Sequence, residues 1–244
     1  MKLQSLIALV ETLRVECPWD RAQTLRSLKS KIIEESYELV EAIDSRDRQA
    51  IKEEIGDILF LGFFMAKMFE DEHSVTLDTL IDDTVKKYQE KHPHVFKDKD
   101  LADEDAVLKF WHGSKKDVFA GIPKMLPALM AAMTIQERAG RLGFDWKSYA
   151  GALEKVLEEV REVKESAGGE SVFEECGDLL FACVNLLRHL SVDPEDALKH
   201  ANKKFVDRFR KVLEILKQQG RNIDDASLEE MDTLWESLKD NGSK

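Results

Sequence analysis

An all-α fold, arranged as two tandem helical-bundle units, is predicted by three features of the chain. Apolar residues recur at three- and four-residue spacing over most of its length, and strand signals are almost absent. The residues between the apolar ones are largely Glu, Lys, Ala and Leu, which are good helix formers. With 244 residues and 43% apolar content there is material for one large core or two smaller ones.

Taken in order, a first helix is expected over roughly 3–15, ended by CPWD, because Pro18 cannot continue a helix interior. Further helices are expected over 22–44, 47–70 and 76–91, with His92-Pro93 closing the last. They make a compact unit, residues 1–96. From Phe96 to Pro123 the chain carries charge runs with Gly and Pro punctuation, and residues 97–120 read as a linker holding one short helix. Periodicity resumes over 124–139, 147–166, 170–190 and 194–218, with a short terminal helix near 226–239. Residues 121–244 therefore form a second unit.

The two units repeat one another. IIEESYELVEAI is answered by VLEEVREVKES, and EEIGDILF by EECGDLLF. The offset is 124 residues between Glu34 and Glu158, 121 between Asp57 and Asp178, and 117 between Lys87 and Lys204. Short insertions and deletions in loops produce that drift while the order of elements stays fixed.

The formal charge of -12, from 48 acidic and 36 basic residues, leaves no basic block to follow a nucleic-acid backbone. A polymeric nucleic acid is not an expected partner. A small anion carried by a metal is compatible with an acidic surface, since the ion reverses the local field. Cys17, Cys176 and Cys183 lack the count and spacing of a disulfide scaffold, and MKLQSLIALVETLRVE lacks the pattern of a signal peptide. A reducing, cytoplasmic setting is expected. The most apolar segment, Ile55 to Ala66, is 12 residues long and contains Asp57, too short to span a bilayer.

The sharpest feature is Glu34, Glu35 and Glu38 followed by Glu54 and Asp57, matched by Glu158, Glu159 and Glu162 followed by Glu175 and Asp178. Positions i and i+3 share a helix face, so each Glu pair and each Glu-Asp pair projects together, and antiparallel packing of the two helices makes all four converge. Crowded like charges repel and their desolvation adds to the cost, and a hard divalent cation relieves both. Asp57 and Asp178 stand in apolar runs expected to face a core, where an ionised Asp needs a partner. Gly56 and Gly177 directly precede them and suggest close approach of the facing helix. Glu41, Glu53 and Glu174 read as solvated faces. A di-iron bundle needs two Glu-x-x-His pairs. The chain offers Glu70 with His73 alone, at a frayed helix end, so Mg2+ is favoured, with Mn2+ as substitute.

A metal-bound polyphosphate needs basic side chains opposite the metals. Lys87 with Lys91, and Lys204 with Arg208, have i, i+4 spacing at equivalent places in the two units. Trp19, Trp146 and Trp235 are candidates to stack on a base; Trp146 is expected in the core, and Trp19 and Trp235, near the ends of their units, stay open. His92, His94 and His112 read as helix ends and surface. Lys31, Lys52 and Lys155 stand near the acidic groups without an assigned role. Neither GxxxxGK[ST] nor GxGxxG is present, which argues against the usual phosphate nest and a dinucleotide fold.

These segments resemble the MazG family of nucleoside triphosphate pyrophosphohydrolases in its two-domain bacterial form. The resemblance is carried by CPWDRAQT, EESYE, EEIGDILF and KHPHVF in the first half. In the second it is carried by GIPKMLPAL, IQERAGRLGFDW, EEVRE, EECGDLLFACVNLLRHL and ANKKFVDRF. It implies a dimeric all-α enzyme that uses Mg2+ to convert nucleoside triphosphates to monophosphates and pyrophosphate, with loose base preference, in nucleotide-pool housekeeping. It further implies metal ligands at Glu159, Glu162, Glu175 and Asp178, with Glu158 accessory, phosphate contacts at Lys204 and Arg208, and Trp235 near the base. In the family the first domain can be catalytically silent. Here Glu35, Glu38, Glu54, Asp57, Lys87 and Lys91 all survive, so the second unit is favoured as principal site and the first is undecided. Glu158 and Glu159 are the candidates to orient or deprotonate the attacking water. The competing readings are a narrow dUTP or dCTP pyrophosphohydrolase and a non-catalytic regulatory dimer.

Overall fold

The computed structural model describes residues 2–97, 106–107, 110 and 117–240. Most of the linker expected at 97–120, with His112, lies outside these described residues; those described at 106–107 and 110 are helical. Every regular element among the described residues is helical. The chain divides into two compact units, Met1–Asp103 and Glu104–Lys244.

In the first unit, α1 spans Lys2–Glu16, α2 Pro18–Ala22, α3 Lys29–Ser45, α4 Arg48–His73, α5 Leu77–Lys91 and α6 Pro93–Phe96. Both prolines expected to end helices also open one. Pro18 and Pro93 occupy the first turns of α2 and α6, where a missing N–H is harmless and the fixed φ suits a helix. The helix expected from residue 22 begins instead at Lys29. Thr24 and Ser27 trade side-chain bonds with each other's backbone N–H, at 3.0 and 3.1 Å, and hold a turn there. Asp47 caps α4 by accepting from the N–H groups of Gln49 and Ala50, and Thr76 caps α5 through Thr79.

The core of this unit is Val10 from α1, Leu28, and Leu61, Phe64 and Met68 from α4, with Leu25, Ile32, Phe60, Phe63 and Met65 packed around it. Positions 61, 64 and 68 are one turn apart, so α4 lays a single stripe on α1. Phe60 and Phe64 stack at 5.5 Å. Arg14 joins the CPWD segment to this core. Its Nη1 donates to the carbonyls of Asp20 and Gln23, its Nη2 pairs with Asp71 at 3.3 Å, and its guanidinium lies over Phe64.

In the second unit, α7 spans Ala128–Arg141, α8 Tyr149–Ser166, α9 Val172–His189, α10 Pro194–Gln218 and α11 Leu228–Asp240, with a 3-10 turn at Ile223–Asp225. α7 starts after Pro127, later than the expected 124, because the segment before it is taken up by turns. Gly143 (φ 89) and Gly220 (φ 73) end α7 and α10 in left-handed conformations that a side chain would strain. In both cases the next residue's N–H reaches back to close the helix, Phe144 to Ala139 and Arg221 to Leu216. Asp193 caps α10, and Ser227 with Glu230 forms a reciprocal box at the start of α11. Ala152, Ala182, Val184, Val212 and Leu216 are buried, as is Gln136, whose amide donates to the Phe181 carbonyl at 2.8 Å.

Asp145 ties the segment before α8 to the end of α9. Its Oδ1 accepts from Arg188 Nη2 at 2.6 Å, His189 Nε2 at 2.9 Å and the Trp146 N–H at 2.8 Å. Burial works to raise its pKa, and the bonds and charge of Arg188, with His189 and Trp146, outweigh it and hold the carboxyl below its ordinary value. A depressed carboxyl stabilises the fold above its unfolded pKa, and that contribution is lost as the pH falls through the folded value. Asp145→Ala should cost about 2 kcal/mol at pH 7, the scale of hydrogen bonds to charged groups. In urea denaturation the gap between wild type and variant should close when the pH is taken below the ordinary carboxylate range; a gap that persists in acid would count against the ion pair as its source.

Candidate metal centres

Each unit carries one hairpin of closely packed helices, α3 with α4 and α8 with α9. A two-residue connection, Arg46 and Asp47, joins the first pair, and residues 167–171 join the second. A connection that short folds the chain back on itself, so carboxylates near the facing ends are brought side by side.

The structure gathers Glu35, Glu38 and Glu54 in the first hairpin, and Glu159, Glu162 and Glu175 in the second. In each group one oxygen per residue lies within 4.8 Å of the others. Glu35 and Glu159 are the buried members, 6% and 4% exposed. Each has one oxygen, Oε2, buried without a hydrogen-bond partner, and so has Glu54. A buried orphaned carboxylate oxygen is a costly arrangement that a bound cation resolves. All donors are oxygens, the set preferred by hard divalent cations. The two clusters therefore fit a divalent metal.

The electrostatics agree. Partial loss of water raises the Glu54 carboxyl above its ordinary value, followed by the like charges of Glu38, Asp57, Glu35 and Glu53. Glu162 is raised first by the hydrogen bond that it makes to Glu159 when protonated, a bond absent while both are ionised, then by desolvation and the charges of Glu159 and Glu175, with Lys155 opposing.

The sequence expected four carboxylates per unit, and the tight grouping holds three. Asp57 and Asp178 follow one turn along α4 and α9 and remain exposed, outside it. The expectation that they face a core is corrected. Their apolar neighbours are themselves exposed, Ile55 at 46%, Leu59 at 52% and Leu180 at 60%. Close approach at Gly56 and Gly177 is corrected too, since a Cβ at either would meet nothing within 4 Å. Trp146, expected in the core, is 50% exposed and leans on Gly151, where a Cβ would stand 2.8 Å from its ring. Trp19 is 65% exposed.

On α10, Arg208 lies over the Trp235 ring at 4.8 Å and Phe205 abuts the same ring at 5.0 Å, which joins a phosphate candidate to the base candidate. Lys204 is exposed on the same helix. In the first unit the ammonium groups of Lys87 and Lys91 flank the Tyr88 ring, at 5.2 and 5.7 Å. The strongest influences on Glu54 and Glu162 all come from their own hairpins, so these basic residues are not among them.

Two residues left unassigned by the sequence belong to the clusters. Lys31 Nζ sits 2.7 Å from Glu35 Oε1 and 3.4 Å from Glu34 Oε2, and Lys155 Nζ sits 2.7 Å from Glu159 Oε1 and 2.8 Å from Glu158 Oε1. The available signal was the i, i+4 Lys-Glu spacing repeated in both units.

A family model described as the MazG nucleotide pyrophosphohydrolase domain matches residues 23–96. The nucleoside triphosphate pyrophosphohydrolase/pyrophosphatase MazG of Thermotoga maritima is 42% identical over 245 residues, covering 97% of this chain and 95% of that protein. The nucleoside triphosphate pyrophosphohydrolase of Escherichia coli K12 is 36% identical over 255 residues, covering 98% and 97%. The uncharacterized protein YabN of Bacillus subtilis is 42% identical over an alignment of 236 residues, covering 92% of this chain and 48% of that protein.

Proposed function

Given that the chain belongs to the MazG family, we propose that it hydrolyses nucleoside triphosphates to monophosphate and pyrophosphate with Mg2+, and that the second-unit cluster is its principal site. The observation that carries this reading is the pair of equivalent glutamate clusters, each built around a buried carboxylate with one oxygen left unbonded. Broad base preference and a role in nucleotide-pool housekeeping belong to the same proposal.

Bound at the cluster, Mg2+ supplies Lewis acidity toward the α-phosphoryl group and makes a water more acidic. Glu159, Glu162 and Glu175 hold that charge, with Asp178 exposed one turn beyond and free to adjust toward it. Glu158 is exposed beside the buried Glu159 and is the group we assign to orient the attacking water and take its proton, with Glu159 the alternative. Lys204 and Arg208 neutralise the phosphates that leave as pyrophosphate. Trp235, already in contact with Arg208, flanks the base. Glu35, Glu38, Glu54 and Asp57, with Lys87 and Lys91, form the corresponding set of the first unit.

The helices that carry the clusters also present unpartnered apolar positions. Ile33 and Leu157 are equivalent and 57% and 45% exposed, and Leu59 and Leu180 are equivalent and 52% and 60% exposed. We take these faces to be covered in a homodimer. No helix among the described residues is long and apolar enough to cross a membrane. The three cysteines are free, which suits the cytoplasmic setting proposed for it.

Pyrophosphate release measured across standard and damaged nucleotides, with and without Mg2+, tests the proposal. Metal-dependent formation of equal amounts of monophosphate and pyrophosphate from several bases is expected. Initial formation of diphosphate and inorganic phosphate would overturn the reaction type, and turnover confined to one or two pyrimidine nucleotides would overturn the broad preference.

A further inference from the structure

Lys31 and Lys155 make equivalent contacts in the two units. Each ammonium takes Oε1 of the buried glutamate four residues on, at 2.7 Å, while Oε2 of that same carboxylate stays buried and unbonded. The glutamate side chains are 8% and 5% exposed, so water does not compete well for the pinned oxygen. Among the ion pairs of the described residues, neither lysine reaches the other two members of its cluster. Within its cluster the ammonium therefore attends one carboxylate, its other partner being Glu34 or Glu158 outside the three, and it does not fill their middle.

We propose that Lys31 and Lys155 are positioning residues, which fix the planes of Glu35 and Glu159 by one oxygen so that the other is presented to a divalent cation. The terminal torsion of a glutamate is broad and roughly two-fold, so an unpinned carboxylate swings its oxygens through many orientations. A strong bond to one oxygen removes that freedom before the cation arrives, as groups behind metal ligands do elsewhere. Lys155 has a second duty. Its 2.8 Å bond to Glu158 Oε1 holds that side chain beside Glu159, so one ammonium orients both the ligand and the candidate base. The inference rests on the reading that these clusters bind metal.

Calorimetric titration of Mn2+ into the full-length, nucleotide-free chain tests it, with wild type compared with Lys31→Met and Lys155→Met. Each variant is expected to weaken one class of sites by about 10- to 100-fold, the usual cost of losing a group behind a metal ligand. The direction is diagnostic, because removing a positive charge beside a cation should by Coulomb's law tighten its binding. Unchanged affinity would overturn the proposal, and tighter binding would show that the lysines compete with the metal. Lys155→Arg, which can still bridge both carboxylates, should recover much of the loss; a merely structural role would give no such recovery in affinity. Lys155→Gln, which retains a donor, serves if the Met variant fails to fold, and is expected to show a smaller loss in the same direction. Failure of the wild type to take up Mn2+ at all would sink the metal reading itself, an outcome separate from equal binding by wild type and variants.

Discussion

Glu159→Gln in the full-length chain is expected to lower Mg2+-dependent pyrophosphate release by at least about 100-fold, the scale of removing a group that supports transition-state charge. The substitution is close to isosteric, and the new amide oxygen can still accept from Lys155, so the α8–α9 hairpin should keep its geometry. What disappears is the charge on the buried oxygen that has no partner inside the protein. Glu35→Gln makes the same change in the equivalent cluster. On the assignment of the second unit as principal site, it should cost turnover little while removing one class of metal site from the titration. Steady-state rates of the two variants and their double decide the matter. Loss of activity in Glu35→Gln with near-normal turnover in Glu159→Gln would move the catalytic site to the first unit.

The elements most legible in the sequence were those whose signals are local. The apolar period of α4, α5, α8, α9 and α10 places their starts and ends within a few residues of expectation. The starts of α3 and α7 were misplaced because competing turns, at Thr24 to Ser27 and before Pro127, use residues that a helical pattern equally accepts. At the sites, repetition identified the glutamates that converge, since chance spacing in one helix does not recur in a second one in the same order. Depth was not legible. Asp57 and Asp178 sit in apolar runs, but in the single chain both are exposed, as are Leu59 and Leu180 two positions further along. The roles of Lys31 and Lys155 escaped for a related reason. A Lys four residues before a Glu is ordinary on a solvated helix, and only the burial of Glu35 and Glu159 distinguishes these pairs.

Glu162→Gln should separate activity from stability, lowering pyrophosphate release by about 100-fold while raising the melting temperature of the metal-free protein at neutral pH. The carboxyl of Glu162 is shifted above its ordinary value of 4.5 by its hydrogen bond with Glu159, its desolvation and neighbouring negative charge. A group whose folded pKa is raised favours the folded state while it is protonated, below its unfolded value, and that benefit is lost as the pH rises through the folded value. At neutral pH the ionised cluster is therefore a burden on the metal-free fold, and an amide at position 162 lightens it. Three measurements fix the sign. Without metal the variant should melt above wild type near pH 7.5, and the difference should vanish below the ordinary carboxylate range, where Glu162 is protonated. Added Mg2+ should raise the melting temperature of wild type more at pH 7.5 than at pH 5, because binding requires the carboxylates ionised. In Glu162→Gln the Mg2+ effect should shrink to that of the first cluster. A variant that melts below wild type without metal at neutral pH would mean that Glu162 contributes to the hairpin by contacts stronger than the repulsion it suffers, and the case for a cation-relieved cluster would lose its energetic basis.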